Sequence, residues 1–230
     1  MCGRFTLSVE PAALQEAFPD IIFPSQQTPR YNVAPGQPVL VLPNDGKKAA
    51  TFFKWGLIPS WAKDPSIGDR MINARAETLA EKPSFRSALK YRRCLILADG
   101  FFEWQAKPGL KTKQPHWIHL KSHKPFGFAG LWEHWQSPEA SEIFSTTIIT
   151  TEPNSLVAPI HNRMPVILPP EVHPQWLDPA AKTWEDLKNL LIPYPPEEME
   201  AIPVTLLVNS PANDSPECIL PSRDPGFGGH

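Results

Sequence analysis

The sequence predicts an α+β fold: one domain whose core is a mostly antiparallel, curved or barrel-like sheet, with helices at the periphery. Three observations carry this expectation. Strand-like apolar segments recur from near the start of the chain to residue 209, with no linker or repeat between them. Twenty-nine prolines and twelve glycines punctuate those segments, which favours short strands and turns over long helices. At 230 residues, 41% hydrophobic and 20% charged, the chain can bury one sizeable core.

Taken in order, Ser8 can cap a first helix, with Pro11 in its opening turn and EPAALQEAF as its body. A proline-marked loop containing YNVAPGQP leads into VLVLP, ATFFKWGLI, RRCLILADGFFEW, PHWIHLK, FGFAGLWEHW and SEIFSTTIITTE, all of which read as strands. Between the second and third of these, ARAETLAEKPSFRSALK reads as broken helix. NSLVAPI then suggests a short helix or turn and MPVILP a strand. AAKTWEDLKNLL is the best helix of the C-terminal part, and VTLLVN reads as a late strand. The domain is expected over residues 1–210, with the proline- and glycine-rich residues 211–230 as a loosely held tail.

Net charge is -2, which argues against a generally sticky nucleic-acid binder. Its distribution is uneven: residues 1–110 carry net +4 and residues 111–230 net -6. The stretch from Arg70 to Arg93 holds seven basic residues against Glu77 and Glu81. That is either a local basic face or a solvated helix surface. Cys2, Cys94 and Cys218 are far apart with no CxxC pair, so reduced thiols are expected, with neither a disulfide framework nor a thiolate zinc site. On a strand His116 and His119 point to opposite faces, so no metal site is expected, and no cofactor is implied. No apolar run approaches the ~18 residues of a membrane helix, and no signal segment opens the chain. A cytoplasmic or nucleoid-associated protein is expected, without membrane partners.

Four polar stretches are candidates for chemistry: CGRF, MINARAET, ADGFFEW and IHNRMPVIL. A small second residue lets an aminopeptidase remove Met1, which leaves Cys2 with a free α-amino group beside its thiol. That amine titrates near ~7.8 against ~10.4 for lysine, so at neutral pH it is uncharged roughly several hundred times more often. It can attack an aldehyde, and the neighbouring thiol then closes the imine into a five-membered thiazolidine at high effective concentration. Glu103 lies among Phe101, Phe102 and Trp104. If buried, its carboxyl has a raised pKa suited to general acid catalysis; by strand alternation it faces water instead. His161 and Arg163 lie in a loop between apolar segments. Phe53, Trp55 and Trp61, interleaved with Lys54 and Lys63, suit either a stacking platform for single-stranded nucleic acid or a core.

CGRF at 2–5, YNVAP at 31–35, INARAET at 72–78, ADGFFEW at 98–104 and IHNRMPVIL at 160–168 together resemble the SRAP family of SOS response-associated peptidases, or abasic-site processing proteins. The resemblance spans nearly the whole chain. It implies a single SRAP-type domain with a barrel-like β core. It also implies a sensor of abasic sites in single-stranded DNA that crosslinks to them through its N-terminal cysteine and removes the residue before that cysteine by autoproteolysis. On this resemblance Cys2 is the nucleophile, Asn73 orients the sugar or terminal amine, and Glu103 and His161 move protons. Arg4, Asn32, Arg75 and Arg163 match DNA-backbone contacts, and Trp61 a stacking or wedge residue. The implied partners are abasic single-stranded DNA and replication-fork proteins, and a monomer is expected. If Met1 stays on, the amine is blocked and binding without crosslinking follows. Two rivals start from the same residues: a non-covalent single-strand-binding module, and an N-terminal-nucleophile amidotransferase, which shares the MCG start but not its downstream motifs.

Overall fold

The computed structural model describes residues 2–222 apart from 107, 108, 110, 111, 138 and 182. The strands are β1 (Phe5–Leu7), β2 (Arg30–Val33), β3 (Pro38–Pro43), β4 (Thr51–Trp55), β5 (Asn73–Arg75), β6 (Arg93–Ala98) and β7 (Gly100–Gln105). They continue with β8 (Gln114–Leu120), β9 (Phe126–Gln136), β10 (Glu142–Thr151), β11 (Met164–Pro165), β12 (Ile167–Leu168) and β13 (Met199–Pro203). Four short helices accompany them: α1 (Pro11–Ala17), α2 (Arg86–Tyr91), α3 (His173–Leu177) and α4 (Trp184–Leu187).

Five strands close a barrel, in the order β3, β4, β10, β9, β6 and back to β3. Every neighbour is antiparallel except the β4–β10 pair. A second, wholly antiparallel sheet runs β13-β8-β7-β1-β2. The expected barrel-like, mostly antiparallel core is therefore what forms, and the two-residue side-chain period explains how it is filled. Val39, Val41, Phe53, Trp55, Ile96, Phe128 and Ile148 pack with Phe5, Phe101 and Ile118 from the second sheet and with Cys2, which precedes β1. The alternate residues Leu40, Leu42, Leu95, Leu97, Ala129 and Leu131 pack with Leu14, Leu89, Trp176 and Leu187 of the helices.

The barrel parts at one seam, and the seam positions the site. β9 and β10 pair only as far as Gly130 and Ile148. Beyond that point β11 pairs with the end of β10, β12 with the start of β9, and β5 lies parallel along β10. Asn73 and the turn before β11 are thus delivered to one place.

Several local expectations are corrected. Ser8 does not cap α1, whose N-cap is Glu10 without a side-chain bond. Its hydroxyl instead donates to Asp99 Oδ2 at 2.6 Å. Asp99 lies between β6 and β7, so the ADG step splits one apparent strand into two that belong to different sheets. The AAKTWEDLKNLL helix is one turn, α4, continued by a 3-10 turn over Lys188–Leu190. VTLLVN is a 3-10 helix over Leu206–Asn209, and the late strand is β13. Trp55 and Phe53 are core residues rather than a platform.

The segment from Pro211 to Ser222, expected as a loose tail, is docked on the edge strand β2. Asp214 Oδ1 accepts from the amides of Tyr31 (2.6 Å) and Asn32 (3.0 Å), and its other oxygen accepts from Arg30 Nε. Cys218 is buried beside Val204 and Val208. The carboxylate satisfies backbone donors that an edge strand leaves open. Residues 223–230 lie outside the described residues.

Candidate functional site

Strand register brings the N-terminus to Glu103. β1 pairs with β7 through Phe5↔Phe101 and Thr6↔Gly100, and the Phe102 amide donates to the Arg4 carbonyl at 2.9 Å. Continued outward, the same register sets Gly3 and Cys2 beside Glu103 and Trp104. Glu103 shares a strand face with Phe101, which lies in the same buried cluster as Cys2. Of the two readings open for Glu103, burial holds: it is 2% exposed.

Cys2 is buried, and its thiol points to the Arg4 carbonyl, 3.8 Å away. Asn73, on β5, donates from Nδ2 to the Cys2 carbonyl at 2.7 Å. Asn73 is itself located by the Trp55 indole, which donates to the Ile72 carbonyl at 2.9 Å. Its Oδ1 is buried without a hydrogen-bond partner among the described residues. From the turn before β11, His161 Nε2 lies 3.9 Å from Glu103 Oε2. Four residues separated by up to 159 positions are thus gathered at one point.

The electrostatics suit proton transfer more than thiolate chemistry. Burial, reinforced by the charge of Glu103, pushes the Cys2 thiol well above its ordinary range, so it remains protonated. Burial also raises the Glu103 carboxyl to about 7, so near neutral pH both of its forms are populated. His161 is lowered by its own burial and is neutral there. Its Nδ1 sits 3.1 Å from the Arg163 amide and 3.3 Å from the Arg163 carbonyl. The carbonyl can only accept and the amide can only donate; the shorter contact is the amide's, which favours Nδ1 as acceptor and the ring hydrogen on Nε2, the nitrogen facing Glu103.

The residues expected to contact DNA do not form one group. Arg75 is exposed at the end of β5, and, after the hydrogen bond from Arg163, its charge is one of the causes that hold the nearby Glu77 carboxyl below the usual carboxylate range. Trp61 is 60% exposed. Its loop is fixed by the Trp135 indole, which donates to the Ala62 carbonyl (2.7 Å), and by the Ile58 amide, which donates to Ser145 Oγ (2.8 Å). The loop closes where two glycines touch. A Cβ on Gly68 would lie 2.7 Å from the Gly56 carbonyl oxygen, and Gly56 itself has φ +128°. Arg163 is braced: Nη1 and Nη2 donate to Glu77 at 2.7 and 2.9 Å, and Nη2 also to the Thr150 carbonyl at 2.6 Å.

Arg4 and Asn32 sit elsewhere, in the fold's own framework. Arg4 Nη1 donates to Asn32 Oδ1 (2.9 Å) and the Val208 carbonyl (2.7 Å). Fully buried Asn32 donates to the carbonyls of Val208, Ser210 and Asn213. Its side-chain nitrogen is satisfied by these three carbonyls, and the Arg4 guanidinium lies over the Trp104 ring, 5.9 Å from its centroid.

Sequence reasoning missed three neighbours of the site. Glu77 lay inside a recognised motif but carried no role. His116 is the cross-strand partner of Glu103 on β8, which a strand alignment of ADGFFEW with PHWIHLK would have found. Thr150 pairs with Arg75, and its buried Oγ1 has no hydrogen-bond partner among the described residues. No cluster of three metal-ligating side chains occurs among the described residues, and no described helix is long and apolar enough to cross a membrane.

The family model for SOS response associated peptidase (SRAP) matches residues 1–211. The chain belongs to the SRAP family. Among relatives of the SRAP domain, a Bacillus subtilis protein named abasic site processing protein YoqW is 51% identical over 222 residues, covering 95% of this chain and 99% of its own. The abasic site processing protein HMCES of Gallus gallus is 32% identical, over 96% of this chain and 78% of its own. A crystal structure of a Bacteroides thetaiotaomicron protein superposes with a TM-score of 0.85 at 28% identity, covering 96% of this chain and 100% of its own. The barrel with its attached five-stranded sheet is thus the architecture of an SRAP domain.

Proposed function

We propose that this protein captures abasic sites in single-stranded DNA by forming a thiazolidine between Cys2 and the aldehyde of the ring-opened sugar, once Met1 has been removed. The observation that carries the reading is the meeting of Cys2, Asn73, Glu103 and His161 from four separate segments, inside a family whose relatives are named for abasic site processing.

The buried thiol stays protonated, so the Cys2 amine attacks first. Its nitrogen forms a bond to the aldehyde carbon, and the carbonyl oxygen takes a proton from Glu103. The nitrogen returns its two protons in turn to the Glu103 carboxylate, which passes one on to that hydroxyl; water is expelled, an imine is left and the carboxyl is restored. The thiol sulfur then adds to the imine carbon, and its proton passes to the nitrogen. The sum is aldehyde plus cysteine giving thiazolidine plus one water. Glu103, poised near 7, is able to give and take these protons, and such help is worth roughly 10² to 10⁴ in rate. Neutral His161, with Nε2–H toward Glu103, assists ring opening or reversal. Asn73 holds the Cys2 backbone while the amine reacts. Arg75 supplies charge for a phosphate and Trp61 a face for an unpaired base. An abasic site has no base to read, so backbone contacts and the aldehyde supply the selectivity.

The test is incubation with a single-stranded abasic oligonucleotide, followed by a denaturing gel. A heat- and denaturant-resistant band that Cys2→Ala abolishes is expected. A resistant band of equal yield from Cys2→Ala would falsify the reading. No band from the processed wild type, with salt-sensitive binding indifferent to the lesion, would leave a non-covalent single-strand-binding module.

A further inference from the structure

We propose that Glu77 is a positioning residue for this chemistry: through Arg163 it ties the His161 turn to the Asn73 strand, so that His161 presents its Nε2–H to Glu103. The inference rests on the function proposed above.

The contacts form a closed ring around Cys2. Asn73 holds the Cys2 carbonyl. Four residues on, in the 3-10 turn Ala76–Thr78 that ends β5, Glu77 grips the Arg163 guanidinium with both oxygens. The same guanidinium reaches the Thr150 carbonyl of β10, the strand against which β5 lies. Arg163's own amide holds His161 Nδ1, and His161 Nε2 faces Glu103, which returns to Cys2. Without Glu77 the guanidinium keeps only the Thr150 carbonyl, while Gln105 on the Pro159 carbonyl and the His161 amide on the Val157 carbonyl hold the residues before it.

Glu77 is half exposed, at 52%, whereas Arg163 is 13% exposed. An ion pair with one such accessible partner contributes little to stability. Its two parallel hydrogen bonds are instead specific in direction, because the guanidinium fork matches a carboxylate in one plane. The pair is therefore suited to setting the angle of the turn. Arg163 cannot be replaced by Lys in that role, although Lys keeps the charge.

The experiment compares full-length processed wild type with Glu77→Gln and Arg163→Lys, using single-turnover adduct formation at saturating abasic oligonucleotide. Affinity is measured separately with an oligonucleotide carrying a tetrahydrofuran abasic analogue, which has no aldehyde. Nitrogen-15 NMR of His161 reports which ring nitrogen carries the hydrogen. Glu77→Gln is expected to slow adduct formation by about tenfold to a hundredfold, as small misplacements of reacting groups do, while leaving analogue affinity unchanged. The His161 signals should move from the pure Nε2–H form toward a mixture. Arg163→Lys should do the same to the His161 signals, and the double variant should be no slower than the slower single one. Tighter analogue binding by Glu77→Gln with an unchanged saturated rate would overturn the proposal and make Glu77 a competitor for phosphate. An unaltered rate and tautomer would overturn it as well. If the wild type forms no adduct, the proposed function fails, and the NMR comparison still decides whether Glu77 positions His161.

Discussion

Replacing Glu103 by Gln removes a carboxyl that burial holds near neutrality, and the consequence for stability has a definite sign. Burial raises this group from 4.5 to about 7. Between those values the folded chain keeps a proton that the unfolded chain has lost, so wild-type stability falls as pH rises from about 4.5 and levels off above about 7. Moving a carboxyl by that amount corresponds to roughly 3 kcal/mol. Gln fills nearly the same volume and has no charge to desolvate. Glu103→Gln should therefore match the wild type at pH 4.5 to 5 and exceed it at pH 8, by up to about 3 kcal/mol. For a chain of this size that is on the order of 10 °C in Tm. The assay is urea unfolding at a series of pH values, with the midpoint read at constant slope. A stability difference that stays the same from pH 5 to pH 8, or a variant less stable than wild type at pH 8, would show that the carboxyl is not held near 7. The proton-transfer role assigned to it would then lose its basis.

Three further outcomes follow from other parts of the structure. Arg75→Ala should weaken binding to any single strand and flatten the log–log salt dependence by roughly 0.7, the value of one single-strand phosphate contact; an unchanged slope would leave Arg75 without that role. Gly68→Ala drives a Cβ into the Gly56 carbonyl, so it should cost about 1–3 kcal/mol in urea unfolding and weaken binding by shifting the Trp61 loop. Wild-type stability and affinity in that variant would mean the two glycines do not set the loop. Asp214→Ala leaves the Tyr31 and Asn32 amides unpartnered by the carboxylate, at about 1–3 kcal/mol, and should make residues 211–222 the first site cut in limited proteolysis. Cleavage there at the wild-type rate would mean that the carboxylate does not secure the segment.

The parts of this molecule legible in the sequence are those set by local pattern. The apolar runs VLVLP and CLILA mark the buried strands β3 and β6, and the broken helix read over 74–90 forms as a 3-10 turn over Ala76–Thr78 and as α2, although Ala74 and Arg75 at its start belong to β5. Glu103 was only half legible: alternation cannot decide which face is wet until it is known that β7 lies between β1 and β8. Ser8 has the chemistry of a cap, but an aspartate 91 residues away competes for it. Leu206–Asn209 has strand-like composition, yet it turns in a 3-10 helix whose Val208 carbonyl receives Arg4 and Asn32. Those bonds of Arg4 and Asn32 are not legible in the sequence, because nothing local says that the chain's end folds back over its start. Glu77 was hidden for the same reason: its partner is 86 positions away.

The most direct measurement of the proposed crosslink is intact mass and peptide mapping of the product formed with an abasic oligonucleotide. The expected mass is that of the chain without Met1 plus the oligonucleotide, less one water, with the oligonucleotide on Cys2. An adduct that retains Met1, or one carried by a lysine with Cys2 unmodified, would contradict thiazolidine formation at this site.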